Sequence, residues 1–523
     1  MKGLPETILN CNRWNWFLWL LAIAFLLRCP VFIHPFFNGD EATYSAIANS
    51  ILDGNLLYSS VVDHKPPMIY LTYALIFNLS PRFCIGAVQF VSILCIVLTA
   101  LMLGKISRSA GRPLLEERLA GLSYVAFSAM GPGKDMLAAN AEIFMMLPTV
   151  TAAWLFVRKR NLTSLAAAGF LCSIAFLYKY QGGAILGALA FTVIIERNQR
   201  LLARFSHLLF LGVGFLLPLI TLCLIYLLKS QLESLYFWGW SFPLVYSGLL
   251  PVSQIAYNGM TMSLQWGLPN SVLLFAAFSG VLSLKRDREV DIYYVFLISW
   301  LFWSILAVVS GGRFTLHYYI QLLPVLSLLA AVGFGQYAGR LPYVHLQKEK
   351  RDRISAGVIV MLVLLPLCLF WTANILDHRL RPRVAHYTKV YKDVGNWFKE
   401  NSNRQDTIFV WGNSPEIYYF SERSMGTRFV FCNYHSGKIW GTIYDQEGAE
   451  NTEKMAIKPA WDMLLSDIRD RKPKWIVDAA AGGLDRWRGH EIRHYAQLWQ
   501  LVSSHYSVAA EVDGTTIYKL LSQ

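Results

Sequence analysis

The sequence predicts a polytopic α-helical membrane protein of about eleven spans, with one re-entrant or interfacial segment and a small C-terminal α/β soluble domain. Three observations carry this. Of 523 residues, 55% are hydrophobic and only 15% charged, with a mean hydropathy of +0.38, too apolar for a soluble chain to cover its own surface. Apolar runs long enough to cross a bilayer, or nearly so, recur from one end of the chain to about residue 373. The basic residues of that part fall between the runs, which is how membrane topology is encoded.

The runs lie near 16–33, 83–104, 117–132, 140–157, 163–178, 182–196, 206–228, 265–284, 292–310, 319–340 and 354–373. The first follows Lys2, Glu6 and Arg13 with no small-residue cleavage site nearby, and reads as a retained span. Net charge is +13, yet residues 374–523 hold 20 Lys and Arg against 18 Asp and Glu. The excess therefore belongs to short loops, which argues against nucleic acid as a partner. Seven of the eight cysteines lie in or beside apolar runs and only Cys432 falls in the tail, so the tail has no disulfide framework.

Basic clusters at Lys105–Arg112, Arg158–Arg160, Arg197–Arg204, Lys285–Arg288 and Lys348–Arg353 should all face the cytoplasm. This places the N-terminus inside and both the loop 34–66 and the tail outside. It requires the apolar stretch 67–80 to dip into the membrane without crossing it. Two domains result: a transmembrane domain over 1–373, carrying the outer loop 34–66, and a soluble extracytoplasmic domain over 374–523. In the latter, 386–400 and 458–471 read as helices, and Thr407–Trp411, Trp475–Val477 and Thr516–Leu520 as strands. No internal repeat is present, unlike the paired halves of many transporters.

The chemistry concentrates just after the first span. Asn38-Gly39-Asp40-Glu41-Ala42-Thr43-Tyr44 leads into Ile47, Ile51 and Leu52 at helical spacing and then Gly54, predicting an amphipathic helix on the outer surface. Asp40 is either its N-cap or a functional acid, and Glu41 a first-turn acid favoured by the helix dipole. Then comes Asp63-His64-Lys65-Pro66-Pro67. A lysine at a helix N-terminus is electrostatically misplaced unless an anion binds there too; snorkelling to the interface is the alternative. Two further cations, Lys179 and Arg313, fall at outer ends of spans, where the positive-inside bias does not place them. Arg313 and His317, four apart, would share a helix face. Each cation is either functional or paired with a carboxylate such as Glu142 or Asp135. The outer loop 229–260 holds Tyr236, Phe237, Trp238, Trp240, Phe242 and Tyr246, either a binding surface or an interfacial aromatic belt.

The stretch Gly39–Tyr70, GDEATYSAIANSILDGNLLYSSVVDHKPPMIY, resembles the signature region of glycosyltransferase family 39 and related GT-C membrane glycosyltransferases. These include protein O-mannosyltransferases and the aminoarabinose transferases of lipid A. The NAEIF segment at Asn140–Phe144, the Lys179 segment and GGRFTLHYYIQLLP ending at Pro324 are similar to that family as well, so the resemblance covers roughly the first 340 residues. Thr43 and His64 stand where aminoarabinose transferases carry a basic residue and an acid, which argues against that sugar.

The resemblance implies a polyprenyl-phosphate-linked sugar as donor, an envelope acceptor, a lipid bilayer around the enzyme and transfer on the outer face of a bacterial inner membrane. A departing polyprenyl phosphate needs cations around it, for which Lys65 stands first with Lys179 and Arg313 behind. The acceptor hydroxyl needs a carboxylate base, for which Asp40 stands first, with Glu41 orienting acceptor or loop and direct displacement inverting the anomeric carbon. Tyr44, His64, Glu142 and His317 are further candidates within the same motifs. The residues make no strong demand for a metal, although Asp40 and His317 could hold a divalent cation. The competing class is a lipid or solute transporter, which would place its charges near the bilayer centre rather than at the outer ends.

Overall fold

The apolar runs fold as helices, six of them long and apolar enough to cross a bilayer among the described residues: Arg13–Phe32, Ile85–Ser109, Ala141–Arg158, Leu201–Leu228, Ile292–Val309 and Leu316–Gln336. The chain is a multi-pass membrane protein. The computed structural model describes residues 11–33, 35–196, 199–248, 250–284, 292–340, 364–369, 372, 382–438 and 447–521; most of the run at 354–373 and the basic clusters Lys285–Arg288 and Lys348–Arg353 lie outside them. The eleven runs do not become eleven full-length helices. Run 265–284 is broken at residues 268–270, where Val252–Gly267 and Ser271–Leu284 meet at 91°. Leu162–Tyr178, Tyr180–Ile195 and Met68–Leu79 are shorter. The last of these, at 12 residues, is about 18 Å long, well under the thickness of the hydrocarbon core.

The residues divide into two units, each gathered from separate stretches of chain. The first comprises Met1–Phe37, Val88–Leu228 and Pro251–Leu376. In lipid, helices gain little from hiding apolar surface from one another, so close backbone approach matters more. A Cβ on Gly280 would collide with the Leu329 carbonyl oxygen, and one on Gly333 with that of Ala276; Gly169 and Gly214 meet Leu211 and Ala166 in the same way.

Arg28, 1% exposed at the end of its helix, fixes a turn in this unit. Its guanidinium donates to the carbonyls of Ser128 at 3.0 Å, Met136 at 2.7 Å and Leu137 at 3.1 Å. These carbonyls lie at the C-terminal ends of the helices Leu114–Phe127 and Gly133–Met136, where helix geometry leaves C=O groups unpaired. One buried cation thus answers both ends and holds the segment bearing Asp135.

The second unit comprises Asn38–Ala87, Lys229–Leu250 and Asp377–Gln523. Its sheet has the order β2-β1-β3-β5-β4, with β1 at Thr407–Trp411, β2 at Ser424–Met425, β3 at Trp475–Asp478, β4 at Tyr506–Val512 and β5 at Thr515–Leu520. Strands β2, β1 and β3 are parallel, and β5 runs antiparallel to β3 and β4. All four residues of β3 are buried, as a central strand covered on both faces requires. Asp513 and Gly514, at φ +48° and +81°, make the tight turn between β4 and β5.

In the same unit the helix Gly39–Leu52 starts with a capping box: Asn38 Oδ1 accepts from the Glu41 amide at 3.3 Å, and the Glu41 carboxylate from the Asn38 amide at 3.4 Å. The helix differs from the surface amphipathic helix expected of it, because every residue from Glu41 to Ser50 is buried. Ala42, Ser45, Ala46, Ala48 and Ser50 are small enough to admit neighbours on several faces. The helix Met68–Leu79, the helix Glu416–Ser421 and β2 take those places.

Replacing Arg28 by Met removes three charge-assisted hydrogen bonds and strands the carbonyls, a loss of about 3 kcal/mol or more. Arg28→Met should lower the apparent Tm of the detergent-solubilised protein by several degrees, as read by intrinsic fluorescence; an unchanged Tm would show that the guanidinium is dispensable.

Candidate active site

Asp40 and Lys65 meet. The Lys65 ammonium lies 2.8 Å from Asp40 Oδ1, with the two side chains 24% and 33% exposed respectively. Asp40 is carried by the first turn of its helix. Lys65 is held from three directions: Tyr58, itself 1% exposed and at φ +65°, donates its hydroxyl to the Lys65 carbonyl at 2.7 Å; Pro66 and Pro67 stiffen the chain that follows; and the ammonium lies 4.9 Å from the centre of the Tyr44 ring. The Tyr44 hydroxyl in turn donates to Asp40 Oδ2 at 3.4 Å. A carboxylate and a cation thus share one partly open position with an aromatic ring beside them.

Behind Lys65 stands Asp63, which is fully buried. Its carboxylate accepts from the His64 amide at 2.6 Å, from the Tyr434 hydroxyl at 3.3 Å and from the Tyr70 hydroxyl, and lies 2.9 Å from His64 Nδ1. Burial alone would push this carboxyl up; the His64 imidazole, the Lys65 ammonium and the Tyr70 hydroxyl outweigh it and hold Asp63 well below the usual carboxylate range. Motif reasoning singled out His64 and Lys65 and passed over Asp63, Tyr58, Tyr70 and Tyr434. The acid two positions before the lysine was the available signal for the first of these.

Lys179, Glu142, Arg313 and His317 lie in the first unit. Lys179, extended just past the helix Leu162–Tyr178, pairs with Glu142 in the first turn of Ala141–Arg158 and lies 3.6 Å from the centre of the Tyr318 ring. His317 places Nδ1 3.1 Å from Asp135 Oδ1 and Nε2 3.8 Å from Glu142 Oε1. The pairing weighed against function is therefore present for Lys179, and Glu142 is the carboxylate that it meets.

Arg313 and His317 do not share a helix face. Gly311, Gly312 and Phe314 adopt φ of +84°, +67° and +51°, a left-handed run that keeps Arg313 in a loop. Only at Leu316–Leu322 does a 3-10 helix begin, and it carries His317. Glu41 is 0% exposed and committed to the capping box. In the aromatic loop, Trp238 is buried, with ring centres 5.1 Å from Tyr434 and 5.7 Å from Phe242, while Tyr236 and Trp240 are exposed. Asp40 and His317 belong to different units, and among the described residues no three His, Cys, Asp or Glu side chains are grouped to hold a metal ion.

Because the folded-state pKa of Asp63 is depressed, its stabilisation is fully present above the ordinary carboxylate range and is lost progressively as pH falls from that range toward the depressed folded-state value. Asp63→Asn should therefore melt several degrees below the wild type at neutral pH, and the gap should narrow below about pH 4. A gap independent of pH in thermal melts from pH 3 to 8 would show that the charge on Asp63 contributes nothing.

Residues 64–226 match the family model described as dolichyl-phosphate-mannose-protein mannosyltransferase. No curated protein matches the sequence. Among solved structures, ArnT from Cupriavidus metallidurans bound to undecaprenyl phosphate is similar at 11% identity with a TM-score of 0.60, over 98% of this chain and 99% of that one. The Archaeoglobus fulgidus oligosaccharyltransferase in the apo form is similar at 13% identity and a TM-score of 0.52, over 98% and 75%. AglB from the same organism, in complex with an inhibitory peptide and a dolichol-phosphate, is similar at 13% and 0.52, over 97% and 74%. Family match and fold together support the resemblance to GT-C glycosyltransferases that the acidic pair and the KPP motif carry.

Proposed function

We propose that this chain is an inverting glycosyltransferase that moves a sugar from a polyprenyl-phosphate carrier to a hydroxyl of an envelope acceptor, on the outer face of a bacterial inner membrane. The observation that carries the reading is the Asp40–Lys65 pair, 2.8 Å apart and partly open to solvent. The family match over residues 64–226 and the undecaprenyl phosphate and dolichol-phosphate bound to ArnT and AglB support the donor class; neither favours a transporter. The distribution of basic clusters supports the orientation.

The chemistry follows from what each group can do. Asp40 accepts the proton of the acceptor hydroxyl as its oxygen forms a bond to the anomeric carbon. The bond from that carbon to the phosphate oxygen breaks, and its electron pair leaves with the polyprenyl phosphate. Lys65 meets the negative charge growing on that oxygen. Before donor binds, Asp40 and Lys65 neutralise one another; an arriving phosphate competes for the ammonium and frees the carboxylate to act as base. Tyr44 holds both groups in reach. Glu41 orients the loop through the capping box, and His64 belongs to the network that sets the lysine in place. Lys179 and Arg313, in the first unit, are proposed as phosphate-binding cations, the former exchanging Glu142 for an anion. The C-terminal segment over 374–523 is proposed to be extracytoplasmic, on the same side as Asp40.

The test is transfer from a panel of radiolabelled polyprenyl-phosphate sugars into envelope fractions. Asp40→Asn and Lys65→Ala should each lose about a hundredfold or more in kcat/KM, the scale of a base or of a cation on a leaving group. Consumption of no donor, or a normal Asp40→Asn variant, would end this reading.

A further inference from the structure

The C-terminal segment grips the Lys65 loop at three consecutive points. At Ser60, the carbonyl accepts from both terminal nitrogens of Arg471 at 3.3 Å. At Val62, the amide donates to the Arg428 carbonyl at 2.8 Å, in a parallel bridge that pairs Val62 with Phe429. At Asp63 and His64, the Tyr434 hydroxyl donates to Asp63 Oδ1 at 3.3 Å and lies 3.1 Å from His64 Nδ1.

These grips are themselves anchored. Asp467 accepts from the Arg428 amide at 2.7 Å, from its Nε at 2.9 Å and from its Nη2 at 2.8 Å, and it also faces Arg471 Nε at 3.3 Å. One buried carboxylate thus fixes both arginines that reach the loop. The Tyr434 ring is 4% exposed and surrounded by Trp238, Phe242, Phe429 and Phe431, with ring centres 5.1 to 6.1 Å away. A ring so enclosed has one direction in which to point its hydroxyl, and that direction is the Asp63–His64 pair.

Lys65 follows directly. Its ammonium must lie within hydrogen-bond reach of Asp40 and of a phosphate, and an error of 1 Å in placing a reacting partner costs about a hundredfold in rate. The chain before it is held at 60, 62, 63 and 64 by groups from residues 428–471, and Lys65 itself by Tyr58.

We infer that Tyr434 is a positioning residue of the catalytic centre: through Asp63 and His64 it sets Lys65 against Asp40, so the C-terminal domain is part of the active site and not only a platform for acceptors. The inference rests on the glycosyltransferase reading above. It differs from acceptor recognition in what it predicts, because misplacing the lysine slows the chemical step for every acceptor alike.

The experiment is steady-state transfer by the full chain, with wild type, Asp40→Asn, Tyr434→Phe and Arg471→Gln compared on two acceptor preparations. Tyr434→Phe keeps the ring and should melt close to the wild type. Its kcat should fall about ten- to hundredfold by the same factor on both acceptors, with the KM values of donor and acceptor within about twofold. Arg471→Gln sits at the surface, carries little risk to folding, and should show the same pattern at several-fold. A rise in acceptor KM at unchanged kcat, or normal kcat in both variants, would overturn the inference while leaving the glycosyltransferase reading in place. A normal Asp40→Asn variant would remove that reading and this inference with it.

Discussion

An ammonium and a carboxylate 2.8 Å apart, each about a quarter to a third exposed, constrain almost everything around them. Fully solvated, such a pair contributes little and its side chains wander. Fully buried, the pair would be costly to separate, and no substrate could divide it. The observed intermediate exposure holds the two groups in register while leaving each available to another partner. The surrounding architecture then has one task, which is to supply from the backbone the rigidity that a half-exposed ion pair lacks. The capping box under Asp40, the Tyr58 bond to the Lys65 carbonyl and the prolines after it all act on main chain.

Asp63 shows the opposite solution to the problem of a carboxylate. It is sealed from water, accepts hydrogen bonds from an amide and two tyrosines, and faces an imidazole. A carboxylate so fully satisfied has no proton to exchange at neutral pH and nothing left with which to meet a substrate. Two acids 23 positions apart thus sit in opposite settings: Asp63 is enclosed by its partners, and Asp40 is partly open beside Lys65. Their environments separate them more clearly than their residue type, which is why a motif alone assigns neither.

The sequence made the helical part of the fold legible where hydropathy is one-dimensional. Runs 83–104, 140–157, 206–228 and 292–310 correspond to the long helices, because a helix in lipid must be apolar along its whole length. The 91° break at 268–270 was not legible, since Leu268, Pro269 and Asn270 interrupt the run by only three residues. The short strand β2 and the edge strand β4 were also missed: β2 has two residues, and β4 is mostly exposed, so neither carries a period. In the site, Asp40 and Lys65 were visible because an acid and a lysine at helix N-termini conflict with simple electrostatic preference or fulfil it conspicuously. Tyr434 was not, because its 370-residue separation from His64 is a property of the fold that no local pattern encodes. The buried helix Gly39–Leu52 was misread for a related reason. Small residues that look polar or neutral in a periodicity count are the ones that allow packing on every side.

Lys179 shows how far isolated charges can be read. A cation at membrane depth is expensive unless matched, and Glu142 matches it while the Tyr318 ring lies against the ammonium. His317 adds an imidazole within 3.8 Å of the same carboxylate, so Glu142 faces two nitrogen groups and Lys179 has one carboxylate partner. In such a set the carboxylate is the shared element: it offsets the cost of burying the ammonium and has a second nitrogen group near it at longer range.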